Sequence, residues 1–367
     1  MLISKMDRNM KKGKEISPQK WGMCALGILV LLVAGVALLT YIVDPYFHYH
    51  APIKGINYRL YEQQYINDGI ARHFDYDTII IGNSLSENMR TSQVDELFDC
   101  TSIKIPYSGA GYKELWGNID RALQYNPDVK RVFVIVDTED AARGKDYVRY
   151  TDYPEYLYDD TLWNDAEYLW NKDTLYRGTI YNLLMTLMGK ESTSFDEYSA
   201  KEEATGAEAI KSLLKVIPAE EEITIREYDE ADEQIVRENI NENIVKVART
   251  YPDTEFVLLY APASIVKWAR YYSRGEVDYR IEVNRTATEA MLQQENIVIY
   301  SFQNEFELLC NLDNYRDTIH FTTEVSEYMI DRVANGKECI TWDNYQEYYK
   351  DIEEFYTEYD YRALQAQ

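Results

Sequence analysis

The sequence predicts an α/β fold: a three-layer α/β/α sandwich around a mostly parallel, five-stranded sheet. Short apolar runs rich in β-branched residues recur along the chain, and longer amphipathic segments separate most of them. That alternation is typical of parallel strands covered by helices on both faces. A chain of 367 residues can bury a large core, and its 34 tyrosines exclude a mainly disordered protein. One N-terminal transmembrane helix and a largely helical insertion complete the predicted architecture.

The first element is an apolar segment over residues 21–43 that contains no charged side chain. At ~1.5 Å per residue, a helix of this length spans the ~30 Å hydrocarbon layer of a bilayer. A cleaved signal peptide has an apolar core of only roughly 7–15 residues, so we expect an uncleaved, single-pass anchor in the cell membrane. Residues 1–20 carry a local charge of +4, which predicts a cytoplasmic N-terminus and an extracellular domain.

The part of the chain after the anchor is strongly acidic. The formal charge of the whole chain is −25, so about −29 falls outside the membrane. Such a field disfavours nucleic acid as a partner. Cys24 lies in the anchor, and Cys100, Cys310 and Cys339 leave an odd number outside it. One disulfide is possible there, but we expect free or buried thiols.

Beyond the anchor, the order of patterns defines the remaining elements. Residues 44–75 read as a juxtamembrane connector and a helix over about 56–74. An α/β domain follows over 76–340, with predicted strands at 78–81, 101–105, 132–136, 256–260 and 297–300. Amphipathic helices are predicted at 112–125 and around the stripe Ile240, Ile244, Val247 and Tyr251.

The alternation of strands and helices breaks at about 141–230, which we interpret as an insertion. Helices are expected near 162–170 and 176–188, followed by a flexible polar loop over about 190–208. The insertion is either a lid or partner-binding cap, or a surface subdomain without a separate role. Residues 341–367 form an acidic, aromatic tail that predicts one more helix laid on the surface.

Two short strings far apart in the chain carry the candidate chemistry. Gly82-Asn83-Ser84-Leu85 ends the first predicted strand, at the sheet edge where ligands bind in open α/β folds. A serine hydroxyl needs a base within hydrogen-bond reach and donors for the developing oxyanion. Near the C-terminus, Asp317 precedes His320 by three residues, so its carboxylate can orient the imidazole. Together these residues predict a Ser/His/Asp site for acyl transfer.

Structural alternatives exist for each of these residues. Ser84 can be a turn residue after a buried strand, and His320 can be bonded to Asp317 as a local cap. We predict no metal site, because no second histidine or cysteine cluster supports one, and no cofactor. The other histidines, His48, His50 and His73, have no comparable carboxylate partner in the sequence.

The two strings resemble blocks of the SGNH hydrolase superfamily. Gly82-Asn83-Ser84-Leu85 is similar to the GDSL block, with Asn83 in place of aspartate, and Asp317-x-x-His320 is similar to the last block. The anchor and the phrases at 106–110 and 314–317 resemble membrane-anchored bacterial members related to the D-alanyl-lipoteichoic acid transfer protein DltD and to alginate O-acetylation proteins. The resemblance implies Ser84 as nucleophile, His320 as general base and Asp317 as its orienting group.

The resemblance also implies an oxyanion site. Gly109 would supply a backbone N–H beside that of Ser84, with Gly111 as the rival. The third block usually holds an asparagine as a further donor, but Glu139 stands there in Asp137-Thr138-Glu139-Asp140. An ionised carboxylate cannot donate to an oxyanion, and a missing donor typically costs ~10²–10³ in rate, so a slow hydrolase or a specialised transferase is expected.

Arg90, six residues after the serine, is a candidate for binding an anionic group of the substrate, and Asn83, beside the serine, is a further candidate for the oxyanion or substrate-binding site. The alternative role of Arg90 is pairing with surface carboxylates.

The function implied is a membrane-tethered, extracytoplasmic O-acyltransferase or esterase of the SGNH type. It would act on acyl groups of cell-envelope polysaccharide or teichoic acid, with a multi-pass membrane-bound O-acyltransferase as partner. The alternative is a non-catalytic scaffold with the same fold that binds glycan or docks such an acyltransferase. The distance between Ser84 and His320 discriminates between them.

Overall fold

The computed structural model describes residues 17–150, 153–201 and 205–366. At its centre lies a six-stranded sheet, with strand order β2-β1-β3-β4-β5-β6. The strands are β1 (Thr78–Gly82), β2 (Ser102–Lys104), β3 (Arg131–Val136), β4 (Glu255–Tyr260), β5 (Ile297–Ser301) and β6 (Cys339–Ile340). The first five are parallel to one another, as predicted.

The prediction of a five-stranded sheet was one strand short. β6 is antiparallel to β5 and only two residues long, with Cys339 opposite Tyr300 and Ile340 opposite Ile299. So short an edge strand has no alternating or continuous apolar run by which a sequence pattern could reveal it.

Helices surround the sheet. In chain order they are α1 (Pro18–Val43), α2 (Gln63–His73), α3 (Thr91–Phe98), α4 (Tyr112–Tyr125), α5 (Thr138–Ala141), α6 (Ala166–Leu169), α7 (Tyr181–Leu187), α8 (Ala207–Ser212), α9 (Glu230–Asn239), α10 (Lys246–Thr250), α11 (Ile265–Tyr272), α12 (Val277–Met291), α13 (Phe306–Cys310), α14 (Thr323–Ala334), α15 (Tyr345–Glu358) and α16 (Ala363–Ala366). π-helical turns at Thr174–Ile180 and Ile240–Val245 lead into α7 and join α9 to α10.

The helices cover strands that are buried along almost their whole length. β1 is buried throughout, and in β3 and β4 only the first residue is partly exposed. α4 contacts α2 on one side and the π turn before α10 on the other, while α12 contacts α9 and α15. Elsewhere, α3 packs against α14. The result is a mixed α/β fold, in which burial on both faces explains the continuous apolar runs of β1, β3 and β4.

One helix prediction needs correction. The helix expected over 56–74 begins only at Gln63, because the backbone N–H groups of Asn57, Tyr58 and Arg59 donate to side chains of the insertion instead. The C-terminal helix α15 packs on the domain with one face, which buries Tyr345, Tyr348, Tyr349, Ile352 and Tyr356, while its other face is exposed.

Helix α1 is long and apolar enough to cross a bilayer, as a membrane anchor or a signal sequence. Asp44 caps the C-terminal end of α1, and its backbone adopts a positive φ of 45°. The buried Asp44 carboxylate accepts hydrogen bonds from the N–H groups of His48, Tyr49 and His50 and from the hydroxyl of Tyr168. Burial raises the pKa of this carboxyl, although these donors oppose the shift. Asp44 therefore ties the end of α1 to the connector and to the insertion.

We expect Asp44→Asn to lower the free energy of unfolding by about 2–4 kcal/mol. The amide has one acceptor oxygen where the carboxylate has two, so buried donors lose their partners. Urea unfolding of the detergent-solubilised chain, followed by circular dichroism, measures the loss. Asp160→Asn is the control, because the Asp160 side chain is 93% exposed. Equal stability of the two variants would contradict a structural role for Asp44.

Candidate active site

Ser84 lies on a sharp corner at the carboxyl end of β1. The strand ends at Gly82, and a 3₁₀ turn begins at Ser84. Asn83 caps that turn: its side-chain oxygen accepts from the Leu85 N–H at 3.0 Å, and its carbonyl accepts from the Ser86 hydroxyl. A Cβ on Gly82 would lie 3.0 Å from the side chains of Ile135 and Ser86, so glycine permits the tight packing below the serine. The corner leaves Ser84 partly exposed between buried neighbours.

The fold brings Ser84 and His320 together from 236 positions apart. Ser84 Oγ lies 2.7 Å from His320 Nε2, which is hydrogen-bond distance. His320 Nδ1 lies 2.6 Å from Asp317 Oδ2 on the opposite side of the ring. Nucleophile, base and orienting carboxylate are thus connected in one chain of contacts.

Asp317 is held in the ionised form. Burial raises the pKa of its carboxyl, but hydrogen bonds from the His320 ring and from the N–H groups of His320 and Ile319 outweigh this, and the net pKa lies well below the ordinary value. Both backbone bonds reach Oδ1 at 2.9 Å, which leaves Oδ2 for the imidazole. The orientation of His320 is therefore fixed by its own backbone turn.

The loop after β2 lies next to the serine corner. The Tyr107 N–H donates to the Gly82 carbonyl at 2.8 Å, and Gly109 follows with a positive φ of 81°. Within the part of the chain that the structure describes, the N–H groups of Ser84 and Gly109 donate to no protein acceptor. The Gly111 N–H, by contrast, donates to the Glu114 carboxylate. Gly109 is therefore the better oxyanion candidate, because the Gly111 N–H is already used in the N-terminal cap of α4.

Glu139 does not stand free beside the serine. Its carboxylate lies 2.5 Å from Lys267 Nζ and also accepts from the Tyr271 hydroxyl. Burial raises the pKa of Glu139, but the Lys267 charge and these two donors lower it below the ordinary value. A donor role for Glu139 in the oxyanion site is excluded chemically, because the carboxyl stays ionised and is already paired.

The Lys267–Glu139 pair lines a small pocket of about 60 Å³ beside the triad. Leu85, which follows the nucleophile, and Ile319, which precedes the base, form its near wall. Sequence reasoning missed Lys267, because a lysine in an amphipathic helix gives no signal of its own. Only the position of α11 after β4 places it at the site edge.

Arg90 makes the ion pairs that its structural alternative requires. Its guanidinium lies 2.7 Å from Glu327 and 3.5 Å from Asp196. Two carboxylates therefore compete with an anionic substrate for this charge, and the binding role of Arg90 stays a prediction. Asn83 likewise acts within the protein, where it caps the serine turn and reaches Asp137 at 3.4 Å.

Lys104 is a buried cation behind the serine block that sequence analysis did not identify. Its ammonium donates to the carbonyls of Glu87 and Asp196, at 2.7 and 3.3 Å. Burial lowers the pKa of Lys104 to about 8, against the opposing charges of Asp196 and Glu87. Because Glu87 lies three residues after Ser84, Lys104 helps to fix the position of the nucleophile.

The lowered pKa of Lys104 predicts that the stability of the fold depends on pH. Its folded pKa of about 8 lies below the unfolded value of ~10.4, so between these values the unfolded chain binds one more proton than the folded chain. The free energy of unfolding should therefore rise above pH 8, by up to about 1.4 kcal/mol per pH unit. Urea titrations at pH 7.5 to 9.5 measure the slope. Lys104→Met should flatten it and the exposed Lys130→Met should not; equal slopes would contradict the prediction.

Comparison with known proteins gives no family assignment. No protein-family model matches the chain, and no curated protein matches it. A solved structure from Streptococcus pneumonia, of a protein provisionally described as a platelet activating factor, is similar at 13% sequence identity and a TM-score of 0.39. The match covers 74% of this chain and 91% of the other. At this identity and TM-score, the likeness supports no functional argument.

Proposed function

We propose that this chain is a membrane-tethered serine esterase or O-acyltransferase of the SGNH type. The observation that carries the proposal is the contact of 2.7 Å between Ser84 Oγ and His320 Nε2, with Asp317 behind the imidazole. A structural turn serine would not require an imidazole from the far end of the chain. This contact also favours an enzyme over a non-catalytic scaffold.

In the proposed reaction, His320 Nε2 takes the proton of Ser84 as Oγ attacks the acyl carbon. The tetrahedral oxyanion is stabilised by the free N–H groups of Ser84 and Gly109. His320 then returns the proton to the leaving oxygen, and the acyl group remains on Ser84 as an ester. In the second half, His320 deprotonates an incoming hydroxyl, which attacks the ester carbon. The acyl–Oγ bond then breaks, and His320 returns the proton to Ser84 Oγ. With water as acceptor the outcome is hydrolysis, and with a sugar or polyol hydroxyl it is acyl transfer.

A polymeric substrate fits the openness of the site. The side chains of Asp317 and His320 are 42% and 25% exposed, so the triad lies in a shallow surface rather than in a closed cavity. We therefore propose acyl groups of cell-envelope polysaccharide or teichoic acid as substrate. The apolar helix α1 supports attachment to the cell membrane. We propose that the domain lies outside, because residues 1–20 carry a local charge of +4. A multi-pass membrane-bound O-acyltransferase remains the proposed partner.

A fluorophosphonate probe tests the proposal directly, because it reacts covalently with activated serines. We expect the full-length chain in detergent to be labelled, and labelling to disappear in Ser84→Ala. Ser212→Ala is the matched control, since Ser212 is an exposed serine whose hydroxyl donates only to its own helix. Labelling that persists in Ser84→Ala, or a wild-type chain without any labelling, would overturn the assignment.

A further inference from the structure

Part of the insertion exposes large apolar side chains to an unusual degree. We call it the apolar shoulder and define it by Trp163, Trp170 and Tyr176, which lie between β3 and β4. Trp163 is 94% exposed, Tyr176 59% and Trp170 48%. An exposed apolar patch of this kind normally marks a contact surface.

The shoulder lies alongside helix α1. The indole N–H of Trp170 donates to the Val33 carbonyl at 2.9 Å, and α6 and the following π turn both contact α1. Gly178 in that turn packs so closely on Pro45 that an added Cβ would lie 2.7 Å from it. The contact extends from the end of α1 to Val33, ten residues or about 15 Å along the helix axis.

The length of α1 decides what surrounds the shoulder. From its first residue, Pro18, to Leu32, just before the Trp170 contact, the helix measures only about 22 Å. A bilayer has a hydrocarbon layer of ~30 Å, so this free portion is too short to span it. If α1 crosses the membrane, the hydrocarbon layer must therefore also include the part of α1 after Leu32, which is the part that contacts the shoulder.

We propose that the apolar shoulder is embedded in the outer leaflet of the membrane, in contact with lipid. The inference rests on the proposed anchoring by α1 and goes beyond the proposed reaction. Tryptophan and tyrosine are the residues that favour the membrane interface, and the Trp170 N–H has its partner within the protein, as the apolar layer requires. The exposed Glu167, Lys172 and Asp173 keep the shoulder near the headgroups rather than at the bilayer centre.

Lipid is a better occupant than a protein partner for a second reason. The outer half of α1 beside the shoulder is itself exposed, with Leu38 59% and Ile42 44% accessible. The shoulder and this half of α1 therefore form one continuous apolar surface. A surface that includes the side of a transmembrane helix faces acyl chains by default.

The test is fluorescence quenching in phosphatidylcholine vesicles with brominated acyl chains, using the full-length chain. Of the six tryptophans, we expect bromine to quench Trp21 in α1 together with Trp163 and Trp170. Trp163→Phe should lose quenchable emission, whereas Trp342→Phe, at an exposed site of the domain, should not. As a gain of signal, Tyr176→Trp should add quenchable emission, and Val216→Trp, at a residue 85% exposed, should not.

The outcomes separate the two proposals. If bromolipid quenches Trp21 but leaves the shoulder sites as unquenched as Trp342 and the Val216→Trp site, the inference is wrong while the anchor stands. If aqueous iodide is excluded from the Tyr176→Trp site in native membranes but bromolipid never quenches it, a protein covers the shoulder and the lipid assignment is likewise wrong. Fluorophosphonate labelling of Ser84 in the same vesicles reports the catalytic proposal independently, because no shoulder residue belongs to the triad.

Discussion

Replacement of Ser84 by alanine should abolish turnover of an activated acetate ester, with a loss on the order of 10⁴–10⁶ in kcat. The chemical reason is the loss of the oxygen that forms the acyl-enzyme. Oxyanion donors and substrate binding can leave a residual rate above that of water, but no covalent intermediate. Steady-state hydrolysis of p-nitrophenyl acetate measures kcat, and intact-protein mass spectrometry after a rapid quench detects the acyl adduct.

The controls separate chemistry from folding. The 3₁₀ turn is held by hydrogen bonds from the Leu85 N–H and the Ser86 hydroxyl to Asn83, and neither uses the Ser84 side chain, so Ser84→Ala should leave the unfolding transition nearly unchanged. Ser212→Ala should retain both activity and adduct. An adduct on Ser84→Ala, or hydrolysis within tenfold of wild type, would refute Ser84 as the nucleophile.

The sequence predicted those parts of the fold that depend on local residue patterns. β1, β3 and β4 are continuous apolar runs, because burial on both faces demands one, and all five parallel strands were found within one or two residues. The stripe through Ile240 and Ile244 likewise marked a buried helix, although not its π turn. The edge strand β6 and the extended segment before Gln63 depend on tertiary partners, and no local pattern encodes them.

The residues of the candidate site show the same division between local sequence patterns and tertiary packing. Ser84, Asp317 and His320 were identified because their chemistry is tied to short spacings and to a strand end. Lys267 and Lys104 lie outside any motif, and only the packing of α11 and β2 brings them near the serine corner. The ion pairs of Arg90 could not be predicted for a related reason: Glu327 and Asp196, its partners, are remote in sequence.

The Lys267–Glu139 pair changes the expectation for the third block. The resemblance placed a donor at residue 139, and the structure instead holds an ionised carboxylate whose charge is compensated by Lys267. Glu139 therefore repels an oxyanion less than an unpaired carboxylate would. The donors left for the oxyanion are the N–H groups of Ser84 and Gly109, so a modest hydrolytic rate remains the expectation.

Replacement of Asp317 by asparagine should lower kcat by about 10⁴ while leaving KM and the fold nearly unchanged. The backbone N–H groups of Ile319 and His320 both require an acceptor at the position of Oδ1, so the amide oxygen of asparagine must occupy that position. Its NH₂ group then faces His320 Nδ1 and donates to it. The imidazole is forced to carry its proton on Nε2, where it points at Ser84 and cannot accept the hydroxyl proton.

Two measurements test this account of Asp317. Ester hydrolysis gives kcat and KM, and ¹⁵N chemical shifts of His320 report which ring nitrogen is protonated. We expect a proton on Nδ1 in the wild type and on Nε2 in Asp317→Asn. Asp313→Asn is the matched control, because the Asp313 carboxylate accepts from the Ala207 N–H and can be replaced by an amide oxygen there. An unchanged tautomer with a large loss of kcat would refute the orienting role, since the loss would then arise from charge alone.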